Sequence, residues 1–280
     1  MHEPYTQMVA ADSRSAAAAP VRLGGMALRN GILVHSLDHW AAAVRAPSGE
    51  IRLASGRKPE LPAPLLALPG VRGVVRMAEA VYLLPLLRRR LPEARLPFES
   101  PGPIAGLTAA VVVGRVLRGR VSPLTAELVG AGLSLVPAMA SLRGSRLARY
   151  HGAEHIEIGG YERGESAAEA GKEHERCGSH LVAPMLAATV AGNVLLARLR
   201  LSPTRQAPAR LAVALGSIAV AVETFGWMQR NRGSRVERAL SRPGLEMQRL
   251  VATEQPTGEE LEVARAALAE VLRLEGAEPA

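Results

Sequence analysis

Three long apolar segments dominate the second half of the chain, over 124–142, 181–197 and 211–228. Each approaches the roughly 20 residues that a helix needs to cross a bilayer. A shorter apolar segment, 103–114, ends where Arg115 intervenes. We therefore predict a mainly α membrane protein with about four apolar helices, because several near-spanning segments in one chain are rare in soluble proteins. The alternative is a soluble helical bundle with unusually apolar core helices.

The segment 22–60 has the pattern of a small β-element. It opens with the paired glycines Gly24 and Gly25, which allow close approach of other chain segments. Two short apolar runs then flank Pro47-Ser48-Gly49, a combination typical of a hairpin. Residues 1–21, rich in Ala and lacking the apolar core of a signal peptide, are predicted to be a disordered leader.

Amphipathic helices are predicted on both sides of the apolar segments. The first belongs to the segment 65–95. Its amphipathic pattern runs from Val71 to Leu91, because Pro92 blocks continuation of the helix. The second is a cytoplasmic C-terminal helix within 229–275, where apolar residues recur at helical spacing. Together with the β-element these parts form a single predicted membrane domain over 22–275. Its remaining parts are a first apolar helix pair over 103–142, a His/Glu/Cys loop over 143–179 and a second apolar helix pair over 180–228.

The amino-acid composition indicates which kinds of partner the chain could bind. The formal net charge of +8 comes mostly from arginines that are spread along the chain, and only 3% of residues are aromatic. Nucleic-acid binding is therefore not expected, because base-stacking platforms need aromatic side chains close to a basic patch. Membrane lipid is the expected partner. A single cysteine excludes an intrachain disulfide framework.

Arginines set the expected orientation in the membrane. They flank most apolar segments evenly, so the predicted orientation depends on the group of arginines ahead of the first segment. These are Arg72, Arg76, Arg88, Arg89, Arg90 and Arg95. Basic residues favour the cytoplasmic side. With four crossings, 143–179 and both termini are then expected in the cytoplasm, in a multi-pass protein of the cell membrane.

Chemistry-bearing residues concentrate between the two apolar pairs. Residues 150–180 hold four of the seven histidines and the only cysteine. His151, Glu154 and His155 form an H-x-x-E-H pattern, which on a helix puts both histidines on one face. They could then share a divalent metal ion, with zinc expected, while Glu154 acts as a general base. The alternative is a pair of surface histidines.

His174 and Cys177 extend this ligand set. They are three residues apart, and both are good zinc ligands. Three protein ligands plus water would make an open, catalytic site, whereas four would make a closed, structural one. The sequence leaves both open. A lone cysteine such as Cys177 is also commonly a small buried apolar residue.

Glu223 is a carboxylate inside an apolar segment, which is costly and therefore indicates a function or a specific partner. It could return in space as a further metal ligand. Equally, it could pair with an arginine or with a polar group of a neighbouring helix.

The motifs also run in the order found in a known family. They are Gly24-Gly25 through Gly31, Ala43-Val44-Arg45 with Gly49-Glu50-Ile51, Arg72-Gly73, Tyr150 to His155, Tyr161-Glu162, His174 to Gly178, Glu223, Pro243-Gly244-Leu245, Gln248, Thr253-Glu254, Pro256 and Glu262-Val263-Ala264. Together they resemble the YqhQ-like family of bacterial membrane proteins of unknown function, described as predicted metal-dependent enzymes. The resemblance implies a multi-pass membrane protein with a metal site. Met26 and Asn30 depart from the family's Gln and Glu, so part of a site would be lost if those residues build one.

Two functions lead the expectations. The first is a membrane-bound, metal-dependent hydrolase in which His151, His155, His174, Cys177 and Glu223 are the candidate ligands. The second is a non-catalytic membrane adaptor, whose metal-stapled or hydrogen-bonded polar loop contacts a cytoplasmic protein. A transporter that uses Glu223 is the weakest alternative, because no inverted repeat is detectable.

Overall fold

The computed structural model describes residues 20–97, 99, 101–117, 119–199 and 201–277, so nearly all of the predicted leader lies outside the described residues. The described part contains the strands β1 (Gly24–Leu28), β2 (Gly31–His35), β3 (His39–Arg45) and β4 (Ile51–Arg57). Its α-helices are α1 (Ala63–Ala67), α2 (Val71–Arg90), α3 (Pro101–Leu117), α4 (Pro123–Leu142), α5 (Arg146–Arg163), α6 (Ser179–Arg198), α7 (Pro203–Arg230), α8 (Arg235–Met247) and α9 (Gly258–Glu275). A π-helical turn, Gln248–Ala252, follows α8 directly.

The N-terminal β-element is a four-stranded antiparallel sheet in the order β1-β2-β3-β4. The predicted hairpin around Pro47-Ser48-Gly49 connects β3 to β4, and Gly49 takes a φ of 89° in its turn. The sequence predicted the β-element, but not that two further strands precede this hairpin. At Gly31 the strands approach closely, because a Cβ atom there would lie less than 3.0 Å from the carbonyl oxygen of Ala43.

The sheet is buried on both faces. Ile32 and Val34 belong to a core that α5 and α9 complete, whereas Leu33 and Trp40 pack with the end of α2 on the other side. This alternation follows from the two-residue period of a strand. The sheet is therefore a middle layer, with α5 and α9 on one face and the end of α2 on the other. We call this part of the molecule, the sheet with α5 and α9, the polar end.

Three helices, α4, α6 and α7, are long and apolar enough to cross a membrane. Their most apolar windows have mean hydropathies of 1.4, 1.6 and 1.7. Only 6% of the window of α4 and of α6 is buried against the rest of the chain. The fourth predicted apolar helix, α3, is shorter over its apolar part, Ile104–Leu117, and carries Arg115 in its last turn. The mainly α class is confirmed, with three candidate spans rather than four in the described part of the chain.

The segment 143–179, assigned to a loop from its polar residues, contains the 18-residue helix α5. The Ser145 hydroxyl caps its first turn by accepting a hydrogen bond from the Ala148 amide, and Gly164 ends it in the left-handed conformation. Only the part after Gly164 is irregular before α6 begins. Burial of most of α5 against the sheet and α9 outweighs the weak helix propensity of its glycines.

The C-terminal helix is present as α9, which begins with a capping box between Thr257 and Glu260. The residues ahead of it, which the sequence did not resolve into separate elements, form α8 and the π-helical turn. Val263, Ala267 and Val271 on α9 are fully buried against the sheet. The apolar stripe of α9 thus closes the core that also holds α5.

Candidate metal centre

His151, His155 and Cys177 converge in the structure, and we call them the His/Cys cluster. The ligand atoms that they offer all lie within 4.8 Å of one another. The two histidines are one turn apart on α5, with ring centroids 4.4 Å apart. The Cys177 Sγ comes from the turn before α6 and lies 3.4 Å from the Nε2 atom of His151. Two nitrogens and a sulfur are therefore close enough together that they could hold a metal ion.

Backbone carbonyls orient both imidazoles of the cluster. The Nδ1 atom of His151 lies 2.9 Å from the Ala252 oxygen, and that of His155 lies 2.6 Å from the Lys172 oxygen. A carbonyl oxygen only accepts, so each Nδ1 carries the proton and donates it. Each Nε2 then presents its lone pair, which is the form in which histidine binds a metal ion.

Burial favours the same protonation state. The His155 side chain is buried, and this burial lowers the pKa of its imidazole below the ordinary value of 6.5. His155 is therefore neutral at pH 7. Cys177, also buried, completes a set of soft and borderline donors that suits zinc.

His174 lies beside the cluster but does not join it. Its ring centroid is 5.5 Å from that of His155. Its Nδ1 atom accepts a hydrogen bond of 3.3 Å from the Arg176 amide, so its Nε2–H donates to Glu162 at 3.2 Å. With both ring nitrogens engaged, His174 supports the wall of the site instead of supplying a ligand atom.

Glu154 is buried between α5 and strand β1. A Cβ atom at Gly25 would lie closer than 3.0 Å to its carboxyl group, so the carboxyl occupies the space that this glycine leaves free. Burial raises the pKa of Glu154 above 4.5, and the positive charge of His151 and His174, when protonated, opposes that shift. Glu154 is thus adjacent in sequence to a cluster residue, yet seated against the sheet.

Glu223 is held away from the cluster. Its carboxylate accepts hydrogen bonds of 2.7 Å from Arg72 Nε and 2.9 Å from the Gly70 amide, and a second contact with the Arg72 guanidinium makes the pair bidentate. The structure therefore matches the expectation of an arginine partner, in a contact that joins α7 to the start of α2.

Gln248 is a supporting residue to which the sequence interpretation assigned no role. Its fully buried side chain accepts a hydrogen bond of 2.7 Å from the His174 amide and donates one of 2.7 Å to the Ser179 hydroxyl. It thereby ties both ends of the Cys177 segment to the π-helical turn. The signal available was its place among the residues that carry the family resemblance.

The π-helical turn also brings the next segment onto α5. The Glu254 amide donates to the Ala148 carbonyl at 3.0 Å, and Lys172 Nζ donates to the Thr253 carbonyl at 2.9 Å. This close approach needs Gly152, where a Cβ atom would lie less than 3.0 Å from the Glu254 oxygen. The glycine inside the H-x-x-E-H pattern is therefore a packing requirement of the site.

The two departures from the family pattern lie elsewhere. Met26 is on the opposite face of β1 from Gly25 and packs with the core that contains Trp40. Asn30 donates to the carbonyls of Arg45 and Glu93, and so fastens the β1–β2 turn. Neither residue belongs to the His/Cys cluster, so these substitutions leave its three donors in place.

These features define a mostly helical protein with three candidate membrane spans, an N-terminal sheet and a group of side chains on α5 and ahead of α6 that could hold a metal ion. Residues 133–274, half of the chain, match the model of a family described as protein of unknown function (DUF1385), and the chain belongs to that family. The match extends from within α4 to within α9, so it includes the whole His/Cys cluster. No curated protein and no solved structure matches the chain.

Proposed function

We propose that the chain is a multi-pass membrane protein of the YqhQ-like type that binds one divalent metal ion, zinc by preference, at His151, His155 and Cys177. The observation that carries this proposal is the paired support of the imidazoles. Each donates Nδ1–H to a backbone carbonyl, His151 Nε2 lies 3.4 Å from Cys177 Sγ, and one ligand atom from each of the three residues lies within 4.8 Å of the others. Partners of this kind hold metal-ligating histidines in place.

The number of donors favours an open site. Three protein ligands are typical of catalytic zinc, which keeps one position for water or substrate, whereas structural sites have four. His174 is engaged by Glu162 and Arg176, and Glu223 is engaged by Arg72. The described ligand set is therefore the three-donor one, and we propose hydrolysis as its use.

Glu154 is the proposed general base. A divalent ion in such a site lowers the pKa of water toward neutrality. Glu154 would hold and release the proton, because its raised pKa brings its carboxyl closer to the working pH. The polar end would lie in the cytoplasm, since six arginines precede α3 on that side: Arg72, Arg76, Arg88, Arg89, Arg90 and Arg95.

Metal analysis of the purified full-length chain tests the metal site. We expect about one zinc ion per chain in the wild type, because the three donors are preorganised. Metal content should be lost in His155→Ala and Cys177→Ser. The matched control is His39→Ala, which removes a histidine on β3 that binds Glu275 instead. A metal-free wild type prepared without chelators, or equal loss in His39→Ala, would contradict the site.

A structural use of the same metal is the second candidate, and burial favours it. His155 and Cys177 are 2% and 9% exposed. None of the five cavities characterised among the described residues is lined by a member of the cluster. The metal would then staple α5 to the Cys177 segment, so that the polar end presents a fixed surface to a cytoplasmic protein.

Glu154→Gln separates the two uses. The amide has the size of the carboxylic acid but cannot accept and release the proton. A hydrolase should lose its cellular function in Glu154→Gln while it keeps its metal, whereas an adaptor should keep both. Complementation of a deletion strain, paired with metal analysis of the same variant, distinguishes these outcomes. His155→Ala should fail in either case.

A further inference from the structure

A cavity of about 430 Å³ lies between the sheet, α2 and the ends of α6 and α7, separate from the His/Cys cluster. It combines a charged floor with an apolar rim. The floor is lined by Arg22, His35, Ser36, Lys58, Arg76 and Glu79, and the rim by Leu37, Met77, Leu181, Val222 and Phe225. Such a two-part lining is suited to an amphiphilic ligand.

The floor contains a buried ion pair between Lys58 and Glu79, to which the more exposed Arg76 is bonded. Lys58 Nζ lies 2.8 Å from one oxygen of Glu79 and donates to the Ser36 carbonyl at 2.9 Å. Arg76 Nη1 donates to the second oxygen of Glu79 at 2.9 Å. Because Lys58 and Glu79 are almost fully buried, this network fixes where the positive charge of Arg76 is presented.

The floor has an excess of positive charge. Three cations, Arg22, Lys58 and Arg76, face the single carboxylate of Glu79. The Arg76 side chain is 41% exposed, and its guanidinium retains N–H donors beyond the one that binds Glu79. Arginine in this setting favours a phosphate, whose oxygens accept two parallel hydrogen bonds.

The rim is formed in part by the ends of two candidate membrane spans. Leu181 is at the beginning of α6, and Val222 and Phe225 are near the end of α7, both of them candidate spans. Leu37 and Met77 are 63% and 41% exposed. Exposed apolar side chains beside cationic ones are typical of a surface that lies in the membrane interface.

We propose that this cavity binds one anionic phospholipid, with its phosphate on Arg76 and Arg22 and an acyl chain against Val222 and Phe225. The apolar rim selects a lipid over free phosphate, since only a lipid offers both a phosphate and a hydrocarbon chain. The proposal rests on the membrane placement of α6 and α7, and is independent of the metal. Membrane fractionation tests that placement separately.

Competition between lipids tests the proposal on the full-length protein in detergent. The protein is offered equal amounts of phosphatidylglycerol and phosphatidylcholine, and retained lipid is counted by native mass spectrometry. We expect the wild type to retain phosphatidylglycerol in preference. Arg76→Gln should reduce that retention about fivefold, the effect of one interfacial cation. The matched control, Arg52→Gln, removes an arginine that pairs with Glu50 on the sheet and should retain lipid normally.

Two further arms keep the test decisive. Arg22→Gln repeats the measurement if Arg76→Gln unfolds, and Met77→Gln should weaken retention through the rim alone. Equal retention of both lipids, or equal losses in Arg76→Gln and Arg52→Gln, would overturn the proposal. Displacement of the lipid by millimolar inorganic phosphate would overturn it too, because it would assign the floor to free phosphate.

Discussion

The polar end of the molecule and its apolar helices differ in what surrounds their side chains. At the polar end, α5, α9 and the sheet bury one another, and buried polar groups such as Gln248 find partners within the chain. In α4 and α6, by contrast, only 6% of the apolar window is fully buried by the chain. The difference indicates that the polar end is specified by its own packing, whereas the apolar helices depend on a non-aqueous environment.

Matched glycine substitutions should show this difference most strongly. Gly152→Ala places a methyl group against the Glu254 carbonyl, so we expect a loss of about 4 kcal/mol or more. Gly132→Ala on α4 meets nothing within 4 Å and should change stability by less than about 1 kcal/mol. Thermal unfolding in detergent measures both. Equal effects would show that the two regions are packed alike.

Matched leucine truncations give the next largest contrast. Leu272 on α9 is fully buried, and Leu272→Ala should cost about 3 kcal/mol, because it leaves a cavity beneath the sheet. Leu211 on α7 is 60% exposed, and Leu211→Ala should cost about 0.5 kcal/mol or less. Denaturant unfolding in mild detergent compares them. A large loss in Leu211→Ala would reveal a packing partner outside this chain.

Asparagine substitutions compare hydrogen bonding in the two regions. Asn30→Ala removes the hydrogen bonds that the Asn30 amide donates to the carbonyls of Arg45 and Glu93, at a cost of about 2 kcal/mol. Asn193 on α6 donates to Glu127 on α4 at 2.8 Å, a contact between candidate spans. Asn193→Ala should cost about 0.6 kcal/mol, as bonds between membrane helices generally do. Thermal unfolding of both variants measures the two losses of stability. A larger loss in Asn193→Ala than in Asn30→Ala would contradict the comparison.

Acid sensitivity should be the smallest effect, and Glu270 is the group at the polar end that should show it. Hydrogen bonds from Arg273 and Ser55 lower the pKa of Glu270 from 4.5 to about 2. A lowered pKa means that the carboxylate contributes stability above pH 4.5 and loses it as pH falls toward 2. In Glu270→Gln the free energy of unfolding should therefore depend less on pH over this acidic range than in the control variant Glu50→Gln. If Glu270→Gln left the pH dependence of stability unchanged, Glu270 would not stabilise the contact between α9 and the sheet.

The sequence predicted the parts of this structure that depend on local pattern. Hydropathy identified α4, α6 and α7, and the four-residue spacing of His151 and His155 predicted that they share a helical face. Both outcomes follow from periodicity within one element. The predicted count of about four apolar helices is approximate: among the described residues three are long enough to span a membrane, and α3 is a shorter apolar helix.

The sequence could not predict contacts between distant segments. Cys177 reaches His151 across 26 positions, and the Ala252 carbonyl reaches it across 101. Nothing periodic distinguishes Cys177 from His174 as the third donor, since both lie at the same end of the irregular segment. In the structure Glu162 binds the His174 ring, whereas Cys177 lies beside the two imidazoles of the cluster.

The hydrogen bond from His151 to Ala252 also bears on when the site can form. The spans α4, α6 and α7 all precede Ala252 in the chain, and so they leave the ribosome first. Gly25, which seats Glu154, is made before the two histidines of the cluster, whereas Gln248 and Ala252 are made after them. All three candidate spans are therefore complete before the chain contains the carbonyl that orients His151. Synthesis thus places the completion of the apolar helices ahead of the completion of the His/Cys cluster.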